Sequence, residues 1–248
     1  MKIFADYHTH TIYSHGKGTI KENVEYAIKR GLKEIAITDH SYGHKIYGIK
    51  KDDIHKMRKE IDDLNASNIP IKVKLGVEAN VIGFNGALDV DEDFLKNTDI
   101  LLAGYHFGAV SSNLIEDIRI HGRNFLSKNF TFLDKKARIR NTDAIIKAIY
   151  QYNIDIITHP GDKGTVDIRE IAKAAVDRNT LLEINSPHGY LTVEGIKIAM
   201  KEGVKFVINS DAHRPQDVGN VEAGIKRAIE AGLCAEQIVN AKEAKGEI

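Results

Sequence analysis

Short apolar runs rich in Ile, Val and Leu recur along the 248-residue chain. Each run is nearly continuous rather than alternating, which is typical of strands buried on both faces of a parallel sheet. The pattern predicts seven strands, at residues 2–6, 34–38, 72–77, 100–104, 155–158, 180–184 and 205–209.

Segments with the helical period separate most of these runs. Thr19-Ile20-Lys21-Glu22 has the spacing of a capping box, and Gly31 is a typical helix stop. Further helices are predicted at residues 52–65, 142–152, 168–178, 193–202 and 217–231. Strands that alternate with helices, without a linker or a break in composition, predict one α/β domain. A barrel and a doubly wound open sheet are the competing layouts.

One interval, residues 107–141, departs from this rhythm. Within it, residues 119–140 carry seven Lys or Arg against a single acid, Asp134, which gives a net charge of +6. Three phenylalanines are interleaved with these cations. A connection this long without a clear element is usually functional or disordered. We expect a basic insertion or lid, with a solvated basic helix face as the alternative.

The overall composition limits the classes of partner. The chain has 35 Lys or Arg and 35 Asp or Glu, so its formal charge is zero with 11 histidines counted as neutral. That balance disfavours a membrane surface or an extended nucleic acid, which need a net basic field. A single cysteine, Cys234, excludes a disulfide framework. We expect a cytoplasmic protein that does not enter membranes; its oligomeric state does not follow from the sequence.

Histidines and acids of metal-ligand type follow six of the seven predicted strands. They are His8 and His10, His40, Glu78, His106, His159, and Asp211 with His213. Because the carboxyl ends of the strands of an α/β barrel converge on one face, we expect these side chains to meet in one cavity. Carboxylates and neutral imidazoles crowded together need a balancing positive charge. Divalent zinc, manganese or iron would supply it.

The strand-exit motifs, taken in order, resemble those of the PHP (polymerase and histidinol phosphatase) family of metal-dependent phosphoesterases. The motifs are Asp6-Tyr7-His8-Thr9-His10, Thr38-Asp39-His40, Gly76-Val77-Glu78, His159-Pro160-Gly161 and Ser210-Asp211-Ala212-His213. Their spacing is most similar to that of short, single-domain bacterial phosphatases with a trinuclear site. The resemblance implies a distorted, TIM-like (β/α)7 barrel. Residues 1–248 would form one catalytic domain, with the basic insertion or lid at about 107–141.

The resemblance also implies three divalent ions, with zinc as the first candidate and manganese or iron as the alternatives. One ion would be held by His8, His10, Glu78 and Asp211. A second would use Glu78 as a bridge, together with His106 and His159. A third would be held by His15, His40 and His213. His15 follows His10 about one residue sooner than the family spacing, and His44 is the alternative ligand at that position.

Such a site predicts hydrolysis of a small phosphomonoester by metal-activated water, without a phosphoenzyme. Glu78, Asp211, His213 and Arg214 are the expected catalytic residues. Arg214 is the first candidate to bind phosphate, followed by Lys163, because fixed cations suit phosphate oxygens. Asp6 and Asp39 are expected either to orient the ligand imidazoles or to cap the loops that follow them.

Three other functions stay open at this point. The basic segment with its phenylalanines fits a nuclease or a nucleotide-end phosphatase, because cations beside stacking aromatics bind single strands. A phosphotyrosine-protein phosphatase and a non-catalytic metal-binding regulatory protein are the other two. His121 and His188 are additional candidates for substrate contact.

Overall fold

The computed structural model describes residues 1–106 and 131–243, and the side chains of residues 131–134 are outside that description. The strands are β1 (Lys2–Ile3), β2 (Ala5–Asp6), β3 (Glu34–Ile37), β4 (Lys72–Asn80), β5 (Ile100–Gly104), β6 (Ile156–Ile157), β7 (Leu181–Asn185), β8 (Phe206–Asn209) and β9 (Ala241–Lys242). Strands β2 to β8 form one parallel sheet in chain order.

The two edges of this sheet meet just beyond β2 and β8. Thr9 forms a parallel bridge with Ala212, and the backbone N–H of His10 donates to the Ala212 carbonyl at 2.8 Å. The backbone N–H of Tyr7 donates to the Asn209 side chain at 3.0 Å. The sheet is therefore a nearly closed barrel. The seven strands confirm the expected (β/α)7 architecture and exclude the open sheet.

Helices follow most of the strands and cover the outside of the barrel. They are α1 (Ile20–Lys29), α2 (Asp53–Ala66), α3 (Glu92–Asn97), α4 (Thr131–Gln151), α5 (Ile168–Arg178), α6 (Val193–Lys201) and α7 (Glu222–Ala231). The predicted capping box is present at the start of α1, where Thr19 and Glu22 exchange hydrogen bonds. In the part of the chain that the structure describes, the helices lack the combination of length and apolarity that crossing a membrane requires.

The apolar core lies on both sides of the sheet. Most of it fills the space between the strands and the helices. A smaller cluster, built on Ala36, Leu102, Ile156 and Val207, occupies the other face of the strands, inside the barrel. Side chains alternate between the two faces of a strand, so these residues fill the barrel interior below the carboxyl ends of the strands. The polar residues at the strand ends therefore lie above an apolar layer.

Several elements differ from the sequence prediction. The first predicted strand is split at Phe4: residues Lys2–Ile3 pair antiparallel with Ala241–Lys242 and only Ala5–Asp6 joins the barrel. The helix expected at residues 142–152 begins at Thr131. Its first turns carry many cations, but Ala137 and Asn141 are buried and extend the buried face of the helix toward its start. Residues 107–130 of the expected basic insertion lie outside the described residues.

The last predicted helix, at residues 217–231, is also divided. A 3-10 turn spans Pro215–Asp217, and α7 begins only at Glu222. Pro215 suits a first helical turn because it has no N–H to leave unpaired. This turn and the segment that follows it lie beside the carboxyl end of β8.

Candidate metal centre

The predicted ligands converge at the carboxyl ends of the strands. Eight of them line a cavity of about 250 Å³: His10, His15, His40, Glu78, His106, His159, Asp211 and His213. The ninth, His8, is fully buried and contacts Glu78 and Asp211 from below. The backbones of His159 and Asp211 adopt positive φ angles of 26° and 50°. This conformation is costly outside glycine, and it turns both residues at the ends of their strands.

The first cluster contains His8, His10 and Asp211. The Nε2 atoms of His8 and His10 are 3.2 Å apart. Asp211 Oδ1 lies 3.6 Å from His8 Nε2 and 3.2 Å from His10 Nε2. One carboxylate oxygen and two ring nitrogens therefore surround a single point.

Glu78 connects this cluster to a second one. Its Oε2 atom lies 3.3 Å from His8 Nε2 and 3.5 Å from His10 Nε2. Its Oε1 atom lies 3.0 Å from both His106 Nε2 and His159 Nε2, which are themselves 3.1 Å apart. The two oxygens of one buried carboxylate thus face two separate groups of imidazoles.

A third group lies toward the mouth of the cavity. His15 Nε2 and His213 Nε2 are 2.5 Å apart. The ring of His15 stacks on that of His40 at 4.9 Å. His40 Nδ1 lies 3.1 Å from Glu78 Oε2. This group therefore adjoins the other two.

His44, the alternative to His15, has a different environment. It lines the same cavity, and its ring stacks on that of His40 at 5.0 Å. Its Nδ1 accepts a hydrogen bond from the backbone N–H of Tyr47 at 3.1 Å. His15, and not His44, has its Nε2 directed at His213.

Hydrogen bonds behind the ligands fix which ring nitrogen is free. His8 Nδ1 donates to Glu183 at 2.7 Å, and His106 Nδ1 donates to Asn80 Oδ1 at 2.7 Å. His213 Nδ1 donates to the carbonyl of Asp211 at 2.8 Å. A neutral imidazole that carries its proton on Nδ1 directs the bare lone pair of Nε2 into the centre.

These lone pairs test whether the residues fit metal ions. Three pairs of Nε2 atoms face each other at 2.5–3.2 Å, and two bare lone pairs repel, so each pair needs either a shared proton or a metal cation between or beside them. Buried imidazole and carboxylate atoms that converge in this way suit divalent ions. His10 and His15 also have Nδ1 atoms that are buried without a hydrogen-bond partner in residues 1–106 and 131–243. The donor set therefore fits metal ions better than it fits a metal-free polar core.

The charges of the centre agree with this assignment. Burial opposes ionisation of Glu78, but the imidazoles of His106 and His8 outweigh it and hold the Glu78 pKa well below its usual range. Burial lowers the pKa of His15 to about 3 and that of His106 to about 4, so both rings are neutral near pH 7. Neutral imidazole is the form that binds a metal.

The sequence prediction missed Glu183, which supports the predicted ligands. This side chain is fully buried within β7, where it accepts hydrogen bonds from His8 Nδ1, from the His159 backbone at 2.8 Å and from Asn209 at 2.9 Å. It orients the imidazole of one predicted ligand and the backbone of another. The available signal was an acid inside the apolar run Leu181–Asn185, because an unpaired buried carboxylate is costly.

Asp6 and Asp39 cap loops. Asp6 accepts hydrogen bonds from the backbone N–H groups of Ser210, at 3.1 Å, and of Gly219, at 2.8 Å. Asp39 accepts from the backbone of Thr11 at 2.7 Å. The nearest ligand nitrogen to Asp39, on His10, is 4.0 Å away. Of the two roles considered, capping is the one that the hydrogen bonds support.

The two candidate phosphate-binding cations lie in different places. Lys163 lines the metal-centre cavity, where its Nζ bonds Asp162 at 2.6 Å. Arg214 lines a neighbouring cavity, and its Nε bonds Asp217 at 2.8 Å. His188 lines both cavities, with its Nε2 3.6 Å from Asp211 Oδ2. His121 lies outside the described residues.

The chain matches the PHP domain over residues 6–187. It is 32% identical to a "probable phosphatase" from Thermoanaerobacter sp. (strain X514), in a match that covers 97% of this chain and 91% of that protein. It is 30% identical to the DNA polymerase/3'-5' exonuclease PolX of Bacillus subtilis (strain 168), covering 98% of this chain and 40% of that protein. Its fold is similar to that of histidinol phosphate phosphatase from Lactococcus lactis, complexed with zinc, L-histidinol and phosphate. That match has a TM-score of 0.64 at 19% identity and covers 93% of this chain and 94% of the other.

The barrel and its histidine-rich mouth therefore define a metal-dependent phosphoesterase. The chain belongs to the PHP family, as its strand-exit motifs implied. Membership of this family favours an enzyme over the non-catalytic metal-binding protein that the sequence left open.

Proposed function

We propose that this phosphoesterase hydrolyses small phosphomonoesters and that water attacks phosphorus directly, without a phosphoenzyme. The observation that carries the proposal is the position of Glu78, whose two oxygens face different imidazole groups. A carboxylate in this position suits a bridge between two ions, and paired ions are the usual means of in-line displacement at phosphorus.

The proposed ligand sets follow the three groups of side chains. His8, His10, Glu78 and Asp211 would hold one ion; Glu78, His106 and His159 would hold the second; His15, His40 and His213 would hold the third. Zinc is the first candidate because imidazoles dominate the donor set, and manganese or iron accepts the same atoms. The zinc in the similar Lactococcus lactis structure supports this choice.

When bound, the ions supply a water ionised near neutral pH and neutralise charge on the phosphoryl oxygens. Glu78 and Asp211 contribute the negative charge of the centre, and His213 completes its outer group. Lys163 is placed to donate to a phosphoryl oxygen while Asp162 holds its ammonium group. As the water oxygen bonds phosphorus, the ester P–O bond breaks and the alcohol takes up a proton. The products are an alcohol and inorganic phosphate.

A small substrate is supported by the size and charge of the site. The cavity of about 250 Å³ lies just below the usual range for pockets that hold drug-sized ligands, which suits a small ester. The chain is neutral overall, which disfavours long polyanions. Histidinol phosphate is one candidate because of the ligands in the similar Lactococcus lactis structure.

A nucleotide-end phosphatase or nuclease is the second candidate. It is favoured by the match to PolX, although the chain spans only 40% of that protein. An oligonucleotide substrate would bind through its phosphates, so its turnover would fall steeply with added salt. Turnover of small esters would depend much less on salt.

The test combines metal analysis with a substrate panel. Purified protein loaded with zinc or manganese would be assayed on phosphorylated metabolites, p-nitrophenyl phosphate, a tyrosine-phosphorylated peptide and end-phosphorylated oligonucleotides. The proposal expects turnover of small monoesters at rates well above those of the peptide and the oligonucleotides. Cleavage of oligonucleotides alone would replace it with the second candidate.

A further inference from the structure

A second cavity adjoins the metal centre and shares part of its wall. Its volume is about 480 Å³, and His188, Asp211 and His213 line both cavities. A phosphate ester whose phosphoryl group lies among the metal ligands can therefore extend its alcohol portion past these three residues. The alcohol portion of such an ester would enter the second cavity directly beside the phosphoryl group.

Two charged side chains that line only this second cavity neutralise each other. Arg214 and Asp217 form an ion pair at 2.8 Å, so their charges cancel. Arg214 bonds through Nε, and in the described part of the chain its two terminal NH2 groups make no other hydrogen bond. Asn220 adds an exposed amide that both donates and accepts, and Pro187 and Ala223 add small apolar surfaces.

The hydroxyl groups of the cavity are already engaged. Ser210 Oγ donates to Asp6 at 2.5 Å, and Ser186 Oγ accepts from the backbone N–H of Gly224 at 3.3 Å. The groups left to meet a ligand are therefore the guanidinium of Arg214, the amide of Asn220 and the imidazole edge of His188. Together they offer several donors and an acceptor without net charge, in a cavity that has room for a sugar or another polyol.

We propose that this second cavity is the leaving-group subsite and that it takes a compact polyhydroxy alcohol, as in a sugar or polyol phosphate. Arg214 and Asn220 form hydrogen bonds with hydroxyl groups of that alcohol. Lys163, in the metal-centre cavity, donates to the phosphate. Arg214 is thus a specificity residue rather than the phosphate-binding residue. This inference rests on the proposed phosphatase function.

The test compares substrates that share the phosphate and differ in the alcohol. The wild-type enzyme and the Arg214→Ala and Asn220→Ala variants would be assayed on ribose 5-phosphate, glycerol 2-phosphate and methyl phosphate. Each variant is expected to lose about 10-fold in kcat/KM on the polyol esters, because it removes hydrogen bonds to the alcohol. On methyl phosphate the loss is expected to stay below about 2-fold. The inhibition constant of inorganic phosphate should not change.

Two further variants serve as controls. Lys226→Ala removes a cation from the exposed side of α7, where Lys226 lies 3.9 Å from Glu230, and should alter none of these values. Lys163→Ala should weaken inhibition by inorganic phosphate and lower kcat/KM on all three esters together. Equal losses on methyl phosphate and ribose 5-phosphate in Arg214→Ala would overturn the subsite, because they would place Arg214 on the phosphate.

A change of preference provides a second readout. Asp217→Asn removes the negative charge of the ion pair and leaves the cavity with the charge of Arg214. The ratio of kcat/KM for 3-phosphoglycerate over glycerol 2-phosphate should rise about 5-fold or more, since the first leaving group carries a carboxylate. An unchanged ratio would contradict the subsite. Absence of hydrolysis of every monoester by the metal-loaded wild type would instead refute the phosphatase function itself.

Discussion

Glu183 accepts a hydrogen bond from His8 Nδ1 at 2.7 Å, and both side chains are fully buried beneath the metal centre. The bond fixes the tautomer of His8 and directs its Nε2 toward Glu78 and Asp211. Glu183 also accepts from the His159 backbone. A single carboxylate therefore supports predicted ligands of both the first and the second proposed ion.

Replacing Glu183 with glutamine should weaken metal binding without removing a ligand. The amide oxygen can still accept from His8. The negative charge that makes the imidazole a stronger electron-pair donor to a metal is lost. We expect metal affinity to fall about 10- to 100-fold, as for other residues that orient metal ligands. Competition with a chromophoric chelator measures this change.

Glu170→Gln is the matched control because it makes the same exchange on the exposed surface of α5. Circular dichroism of the metal-free variants shows whether each remains folded. A folded Glu183→Gln protein with wild-type metal affinity would exclude the positioning role.

His15 and His44 can be separated by metal stoichiometry. His15 Nε2 faces His213, whereas His44 Nδ1 accepts from the Tyr47 backbone. His15→Ala should therefore bind one ion fewer per chain than the wild type, and His44→Ala should bind the same number. Elemental analysis after dialysis counts the ions. The reverse result would assign the third ion to His44.

Metal binding should release protons. Burial opposes protonation of His8, but Glu78, Asp211 and Glu183 outweigh it and raise the His8 pKa well above its ordinary value. The His159 pKa is also raised, chiefly because its hydrogen bond to Glu78 outweighs burial. In the metal-free protein these rings hold protons to a higher pH than an ordinary histidine does.

An incoming ion must displace those protons, so metal affinity should rise with pH through the raised pKa values and level off above them. Below that range both rings are protonated, and binding should be weakest. Calorimetry in buffers of different ionisation enthalpy measures the number of protons released. Binding that releases no proton between about pH 6 and 8 would contradict the claim that the ion displaces protons from these two rings.

Much of the metal centre could be predicted from the sequence because of barrel geometry. Parallel strands end on one face, so the residues that follow the apolar runs must meet there. His8, His106 and Asp211 are far apart in the sequence but adjacent in the structure for this reason. The runs themselves are recognisable because both faces of each strand are buried.

Other features depend on contacts that no local pattern encodes. The supporting role of Glu183 arises from the curvature of the barrel, which brings β7 beneath His8. The position of Arg214 depends on the 3-10 turn at Pro215–Asp217, which pairs its side chain with Asp217 and not with the metal cavity. The early start of α4 was hidden because cations dominate its first turns, although Ala137 is buried.

The central claim is that Glu78 bridges two ions in a hydrolytic centre, and the metal content of wild type and Glu78→Gln tests it most directly. After saturation with zinc or manganese, the wild type should hold about three ions per chain, the number its ligand sets provide. Glu78→Gln should stay folded, hold fewer ions and lose phosphomonoester hydrolysis. Fewer than about two ions in the wild type, or an unchanged metal content in Glu78→Gln, would contradict the account.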